Sequence, residues 1–308
     1  METQQLEQWN TYMDVDTGEY LGEGIFLSRE YVEKKQEAQV NKAEGFAKKK
    51  KKDEFSQYIN SNFGSFYFNN YMKLLKKLNN NTALLFRFLY LCTYADYDGY
   101  LKYGNYSYGV HHGYMTEKDF EDVFKMSKAM ITKLKKELYD NNLIIKSKTD
   151  DRLIVNGSFY TRGELCLGDM LESSRVFDDG IKELYEKSNP REHKKIGVLI
   201  PLLPYLNKYH NILCNKPLEK ELKYIEPLTL REICKIVDYD SSNEDKLKKQ
   251  LESITVKDNP MVAFISHAKG RFFVVNPSLF YKGNCLDDLT GVINLFKVEN
   301  NISNEPNT

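Results

Sequence analysis

The amino-acid sequence predicts a mainly α fold with small β-hairpins (α+β), built from two tandem copies of one unit. The nonapeptide VNPSLFYKG at 275–283 nearly repeats VNGSFYTRG at 155–163. When Thr229 is set on Thr116, the segment TLREICKIVDYDSSNEDKLKKQL aligns without a gap on TEKDFEDVFKMSKAMITKLKKEL. Matches that recur in one order along a chain indicate an internal duplication.

The first copy is predicted to begin with a buried helix. Thr82 takes the N-cap position of the mostly apolar segment TALLFRFLYLCTYA, residues 82–95, which is typical of a core helix. Asp98 and Gly99 then mark a turn, and the tyrosine-rich residues around them favour an extended segment.

A helix-turn-helix and a hairpin are predicted next. Thr116 and Asp119 have the spacing of a capping box, and FEDVF after them has an apolar stripe at helical spacing. The segment SKAMITKLKKEL predicts another helix, with its lysines turned outward. Its buried face is formed by Met130, Ile131, Leu134 and Leu138. The segment NLIIKSKTDDRLIVN contains two short apolar runs around a polar turn, a hairpin signal.

The second copy repeats this order, with Pro201 and Pro204 expected to kink or shorten its first helix. The KKKKK run at 48–52 lies in a polar segment without helical apolar periodicity. The predicted organisation is a flexible basic arm over 1–60, a first unit over 61–163, a linker over 164–192 with a short helix, a second unit over 193–283, and a disordered tail over 284–308.

Composition restricts the class of protein. The 308 residues include 44 Lys plus Arg and 44 Asp plus Glu, so the net charge of zero indicates neither a nucleic acid nor an anionic membrane as partner. No apolar run reaches the ~20 residues that cross a bilayer, and the polar N-terminus does not resemble a secretion signal. We expect a soluble, cytoplasmic protein.

Motifs for catalysis or cofactor binding are missing from the sequence. The five cysteines have no metal-binding or disulfide spacing and are expected to be reduced thiols. The adjacent His111 and His112 point to opposite faces of an extended segment, which disfavours chelation of one metal ion. There is no phosphate-binding loop and no dinucleotide-binding motif. The sequence therefore predicts neither an enzyme nor a cofactor.

The order helix, strand, helix-turn-helix, hairpin is that of a winged helix, so the sequence predicts tandem winged-helix domains. In such a unit one helix enters the DNA major groove and the hairpin, or wing, contacts the adjacent backbone. The candidate DNA-binding residues of the first copy are Ser127, Lys128, Thr132, Lys135 and Lys136 on the helix and Lys146, Lys148 and Arg152 on the wing.

The second copy is a weaker candidate for DNA binding. Its candidate cations are Lys246, Lys248 and Lys249 on the helix, and Lys269 and Arg271, together with His267, on the wing. Asp240, Glu244 and Asp245 at the start of the helix would repel phosphates. This copy is therefore expected either to contact phosphates weakly or to provide a surface for a dimer or another protein.

The helix-turn-helix TEKDFEDVFKMSKAMITKLKKELYDNNLIIK, the closing IVNGSFYTRG and an N-terminal DVDTGEYLGEG phrase resemble the RepL-type replication initiators of Firmicute plasmids and phages. The resemblance covers mainly residues 11–163, and the second copy departs from it, because those initiators contain one such unit. It implies binding to an origin or operator of a mobile element and supplies no catalytic residue.

The leading hypothesis is a double-stranded DNA-binding protein that initiates replication by binding origin repeats, with host replication proteins as further partners. A transcriptional regulator of the mobile element is the first alternative. The second is an interaction protein, such as a host-takeover or anti-defence factor, whose winged helices bind proteins. The sequence leaves open whether the chain is a monomer or a homodimer.

Overall fold

The structure is a computed structural model that describes residues 9–13, 20–25, 29–79, 81–103, 113–165, 172–267 and 270–303. The chain divides into two compact units, Met1–Glu54 and Phe55–Thr308. Helices with small antiparallel sheets make up the described parts, so the α+β class is confirmed.

The first unit contains a β-hairpin and most of a long helix, where the sequence predicted a flexible arm. Strand β1 (Trp9–Met13) pairs antiparallel with β2 (Tyr20–Ile25), and α1 is Arg29–Phe63. Residues 33–54 of α1 are exposed, so no apolar stripe is needed there. Residues of high intrinsic helix propensity and i,i+4 ion pairs such as Glu44–Lys48, 3.9 Å apart, favour the helix instead.

The last turns of α1 belong to the second unit. Phe55, Ile59 and Phe63 are buried at four-residue intervals and pack with Phe177 and Tyr281. This short stripe at 55–63 is a helical signal in the sequence, and it spans the end of the predicted arm.

The second unit continues with nineteen further helices and strands in the described chain. They are β3 (Phe66–Asn70), α2 (Tyr71–Leu78), α3 (Thr82–Cys92), α4 (Phe120–Phe124), α5 (Lys128–Asp140), β4 (Ile144–Lys146), β5 (Leu153–Val155), β6 (Tyr160–Thr161), β7 (Ser173–Phe177), α6 (Asp178–Lys187), α7 (His193–Ile196), α8 (Leu230–Ile236), α9 (Glu244–Ser253), β8 (Thr255–Val256), β9 (Asn259–Pro260), β10 (Val262–His267), β11 (Gly270–Val275), β12 (Phe280–Tyr281) and α10 (Leu286–Ser303). Short 3-10 helices are Glu117–Asp119, Gly197–Tyr205, Leu222–Tyr224 and Ser241–Asn243.

A four-stranded antiparallel sheet of order β12-β7-β3-β6 joins the two halves. The central pair sets Phe68 of β3 opposite Arg175 of β7. On the outer sides, Thr161 of β6 is opposite Phe68 and Tyr281 of β12 is opposite Arg175. The sheet thus has a local two-fold relation, with its axis between Phe68 and Arg175, which is the arrangement expected when equivalent strands of a duplicated unit pair with each other.

The predicted linker over 164–192 is incorrect where the structure describes it. It contains β7, which lies in the middle of the sheet. The short helix predicted within it is present as α6, whose Ile181, Leu184 and Tyr185 are buried. The five-residue strand SSRVF is too short for its period to stand out in the sequence, so its polar neighbours dominated the prediction.

The repeated nonapeptides form the same turn in both halves. The Oδ1 atom of Asn156 accepts a hydrogen bond from the Ser158 amide at 2.9 Å, and the Oδ1 atom of Asn276 accepts one from the Ser278 amide at 2.9 Å. An Asn side chain that binds the backbone two residues on stabilises a turn. The repeat therefore leads the chain from each hairpin into the central sheet.

The helices and hairpins around this sheet follow the same order in both halves. In the first half β4 pairs with β5, and Tyr100 forms a bridge to Ile154. In the second half β10 pairs with β11, and Ile212 forms a bridge to Val274. The β8–β9 hairpin, between α9 and β10, belongs to the longer second copy.

The prolines act on the second copy as expected. Pro201 and Pro204 lie inside the 3-10 helix Gly197–Tyr205, which follows the four-residue α7. Proline lacks the amide donor of an α-helix, so this segment has no long α-helix to match α3.

One hydrophobic core contains residues from both halves, including Leu134 of α5 and Leu247 of α9. The predicted division into separate domains over 61–163 and 193–283 therefore differs from the structure, in which both halves lie in one compact unit. The predicted disordered tail over 284–308 is also incorrect over 286–303, which forms α10. Its Leu289, Val292 and Phe296 are buried at helical spacing.

We expect the two Asn turns to differ in their contribution to stability. Asn276 is 2% exposed, and Asn276→Ala would leave the buried Ser278 amide and the Pro260 carbonyl without these hydrogen bonds. This should cost about 1–3 kcal/mol. Asn156→Ala, at a more exposed turn, should cost less, and urea unfolding of both variants measures the difference. Equal losses would contradict the assigned burial.

Candidate nucleic-acid interface

The predicted helix-turn-helix is present as a compact pair of helices. The backbone amide and the hydroxyl of Thr116 donate to Oδ2 of Asp119 at 2.6 and 2.9 Å. Phe120, Val123 and Phe124 of α4 are buried, which confirms the apolar stripe. The helix ends at Lys125, whose φ of 49° is left-handed, and this turn sets the direction of α5.

Helix α5 has one buried face and one exposed face. Ile131, Leu134 and Leu138 are buried, as predicted, and Met130 is partly buried against them. Ser127 is the N-cap residue, and its side chain makes no capping hydrogen bond. The predicted residues Ser127, Lys128, Thr132 and Lys136 are exposed together.

The Thr132 hydroxyl is partly committed to its own helix. It donates to the carbonyl oxygen of Lys128 at 2.9 Å. The oxygen can still accept a hydrogen bond from an external donor. Thr132 is therefore better placed as an acceptor or a methyl contact than as a donor to a base.

Lys135 does not lie on the exposed face where the sequence analysis placed it. Its side chain is 27% exposed, and its Nζ is 3.9 Å from Oε2 of Glu117. The ammonium also lies 5.6 Å from the centre of the Phe120 ring. The position is at the border of the buried face, so the long side chain packs on the apolar neighbours of α4 and keeps its charge beside Glu117.

Glu117 also engages the wing. It accepts a hydrogen bond from the Tyr139 hydroxyl at 2.9 Å, and the Nζ atom of Lys146 lies 3.3 Å away. Partial burial works to raise the pKa of Glu117, but these hydrogen bonds and the charges of Lys146 and Lys135 lower it overall. Glu117 is ionised at neutral pH, and its charge partly neutralises Lys135 and Lys146, two of the lysines predicted to bind DNA.

Arg152 of the wing is held in place within the protein. Its Nε is 2.6 Å from Oδ2 of Asp150, and the hydrogen bond from Arg152 lowers the pKa of Asp150 to about 2. The guanidinium lies 4.9 and 4.8 Å from the ring centres of Tyr100 and Tyr114. Arg152 therefore stabilises the base of the wing, whereas Lys148 at the tip of the turn is exposed.

In the second half, the acidic start of the equivalent helix has a structural role. Asp240 caps the 3-10 helix Ser241–Asn243 by accepting from the Ser242 amide at 2.9 Å, and α9 begins only at Glu244. Lys248 packs on the wing, with its Nζ 4.0 Å from the Phe264 ring centre and 3.8 Å from Glu252. Lys248 was predicted to be available for DNA binding, and these contacts show that it is engaged within the protein.

The other two lysines of α9 border a cleft. Lys246 and Lys249 line a cavity of about 610 Å³ together with Lys187 of α6 and Lys195, which lies in α7. Arg271 is exposed on β11. Lys269 lies outside the described residues, and the side chain of His267 is outside them as well.

Further exposed cations lie on the helix-turn-helix. Lys133 shares the outward face of α5 and is 3.9 Å from Glu137, and Lys125 is exposed in the turn before α5. The helical period of α5 was sufficient to place Lys133 on this face. Glu121 and Asp122 are exposed on α4, so the positive charge is concentrated on α5 itself.

Other sequence-based expectations concern metals, thiols and membranes. Within the described ranges, no group of three His, Cys, Asp or Glu side chains could hold a metal ion, and no helix is both long and apolar enough to cross a bilayer. Cys92, Cys214 and Cys234 are buried free thiols and Cys285 is partly buried. His111, His112 and Cys166 lie outside the described residues.

Comparison of this chain with protein-family models, with curated proteins and with solved structures finds no match. The resemblance to RepL-type initiators therefore depends on the residues quoted for it.

Glu117→Gln tests the charge balance at the base of the wing. Glutamine keeps an oxygen that accepts from Tyr139 but removes the charge beside Lys135 and Lys146. Because the pKa of Glu117 is lowered in the folded state, its contribution is present above about pH 4.3 and is lost as the pH falls through the depressed value.

The stability difference between wild type and Glu117→Gln, measured by urea unfolding, should thus be largest at neutral pH and disappear in acid. Exposure to solvent limits it to about 1 kcal/mol or less. Glu121→Gln, on the exposed side of α4, is the matched control and should show no such pH-dependent difference. A difference for Glu117→Gln that does not change with pH would contradict the ion pairs.

Proposed function

We propose that this chain binds double-stranded DNA and that each half of its second unit is a winged helix. The order of elements supports this. In each half a helical segment, a short extended segment that bridges to the wing, a helix-turn-helix and a hairpin follow one another. A hairpin packed in this way beside the second helix can reach the backbone on either side of the groove.

The observation that carries the proposal is the exposed face of α5. Lys128, Lys133 and Lys136 lie there with Thr132, on a helix whose opposite face is anchored in the core. An α-helix fits the width of the major groove, and lysines along its free face can contact phosphates on both sides. The exposed Ser127 and Lys128 at the N-terminal end are the candidates for base contacts.

The second half is proposed to contribute phosphate contacts. Arg271 is exposed on its wing, and the cleft lined by Lys246 and Lys249 has a local excess of positive charge. Lys248 is better assigned to packing on Phe264. The two halves would then contact unlike DNA segments.

The resemblance to RepL-type initiators favours one biological role. We infer that the bound DNA is a replication origin of a plasmid or phage, and that host replication proteins are recruited to it. Phosphate contacts alone would hold the protein on any duplex, so initiation at an origin requires the contacts of α5 with bases.

Lys136→Ala and Lys135→Ala form a matched pair for testing the DNA contact. Lys136 is exposed, whereas Lys135 is packed on Phe120 beside Glu117. Lys136→Ala should weaken binding to all duplexes about equally and flatten the dependence of log K on log salt by about 0.9. Lys135→Ala should have the smaller effect on affinity. Gel shifts over a salt series measure both. A larger effect of Lys135→Ala would contradict the assignment of the outward face of α5 to DNA, and no effect of either variant would exclude α5 as the contacting helix.

Selection of bound duplexes from a random pool tests specificity. A recovered motif that matches repeats at an origin supports initiation, and Lys128→Ala with Thr132→Ala should then lower selectivity. A motif that matches an inverted repeat over a promoter would instead identify a transcriptional regulator. No enrichment, and no shift at micromolar protein, would contradict DNA binding and point to a protein partner.

A further inference from the structure

A pocket of about 280 Å³ lies beside the central sheet, on the β12 side. Its cationic lining residues are Arg175, Lys208 and Lys282, and Phe68, Tyr71 and Leu218 contribute apolar surface. Among the described residues that line it, none is acidic. Three partly buried cations beside apolar side chains, with no described carboxylate in the lining, need an explanation, because charges withdrawn from water are normally paired.

The local two-fold relation of the sheet gives this pocket a counterpart in the other half. Lys282 follows β12 as Arg162 follows β6, and Tyr71 follows β3 as Asp178 follows β7. In the counterpart, the Nη2 atom of Arg162 lies 2.9 Å from Oδ2 of Asp178. That half therefore satisfies its buried cation with an internal carboxylate.

Among the described residues, Tyr71 occupies the position equivalent to that of Asp178, so no described carboxylate lies there. The Nζ atom of Lys282 lies 4.4 Å from the centre of the Tyr71 ring. No described carboxylate forms an ion pair with Lys282. Burial lowers the pKa of Lys282 to about 7, the result expected for an ammonium removed from water without a counter-ion.

Arg175 presents a second incompletely satisfied cation. Its Nη1 donates to the Gly283 carbonyl, but its buried Nε has no hydrogen-bond partner within the described structure. The guanidinium lies 5.2, 5.5 and 5.1 Å from the ring centres of Phe55, Phe66 and Phe68. These rings hold the guanidinium in place, and a planar guanidinium binds a carboxylate or phosphate by donating paired N–H groups to its oxygens.

We propose that this pocket binds a small organic anion, a carboxylate or phosphate monoester with an apolar body. Its anionic group takes, beside Lys282 and Arg175, the place that the Asp178 carboxylate has beside Arg162. The apolar body lies against Phe68, Tyr71 and Leu218. The volume accommodates a ligand of the size of a substituted aromatic ring and excludes a polymer.

The first test compares benzoate, phenyl phosphate and the neutral benzyl alcohol by isothermal titration calorimetry on the full chain. At least one of the two anions should bind and raise the melting temperature, whereas benzyl alcohol should not. The stronger anion identifies the carboxylate or phosphate class. Absence of binding by both anions at millimolar concentration overturns the proposal, as does equal binding of benzyl alcohol.

Two variants locate the binding. Lys282→Met removes the cation, and Tyr71→Asp supplies the internal carboxylate found in the counterpart half. Each should weaken anion binding at least tenfold, and Lys216→Met, at an exposed ion pair with Glu226, should leave it unchanged. Since Tyr71 is buried, circular dichroism checks that the Tyr71→Asp variant is folded. If that variant does not fold, the Lys282→Met variant alone locates the binding site. Unchanged binding in folded Lys282→Met overturns the site.

The pH dependence gives an independent readout. The titratable and charged groups around Lys282 are Tyr71, Arg175 and Lys208, which line the same pocket, and the thiol of Cys214. Burial, and after it the carboxylate of Glu172, raises the pKa of the Tyr71 hydroxyl. With the pKa of Lys282 lowered to about 7, benzoate affinity should fall about tenfold from pH 6 to pH 8 as the ammonium loses its proton. Lys282→Met should abolish that dependence, and an unchanged profile in this variant contradicts the assignment.

Discussion

The pairing of β3 with β7 is the interaction on which the rest of the second unit depends. Because buried backbone donors and acceptors must be paired, the register that sets Phe68 opposite Arg175 also fixes where β6 and β12 join the sheet. Each outer strand continues directly from a hairpin through an Asn turn. Both hairpins, and the helices packed on them, are therefore positioned by one central pair of strands.

Intramolecular charge pairing decides which cations of the first half remain available. Glu117, Asp150 and Asp151 neutralise Lys135, Lys146 and Arg152, which are three of the cations predicted to bind DNA. The ion pair of Glu117 with Lys146 also fastens the hairpin to the helix-turn-helix. On these two elements, the cations that remain exposed outside these ion pairs are mainly those on the outward face of α5, with Lys125 before the helix and Lys148 at the tip of the hairpin turn. The charge that the proposed DNA contact can use therefore lies largely along one helix.

The sequence predicts those features of the fold that depend only on neighbouring residues. The capping box at Thr116, the buried face of α5 and the effect of Pro201 follow from spacing and backbone chemistry. The sequence does not predict β7 as a central strand, because a five-residue strand gains its stability from partners that are distant in the sequence. The long α1 was missed because helix propensity without an apolar stripe is a weak signal. Lys135 was misplaced because its border position is resolved only by what α4 packs against it.

The common core fixes the separation between α5 and α9, and with it the separation of the DNA segments that they are proposed to contact. Two DNA-binding modules on a flexible linker can adjust to different separations, but α5 and α9 belong to one compact unit. Inserting a single base pair between two contacted segments rotates one of them by about a tenth of a helical turn. In the proposed complex, a common frame of this kind would tolerate such phase changes poorly, and the DNA sites would be constrained in length as well as in base sequence.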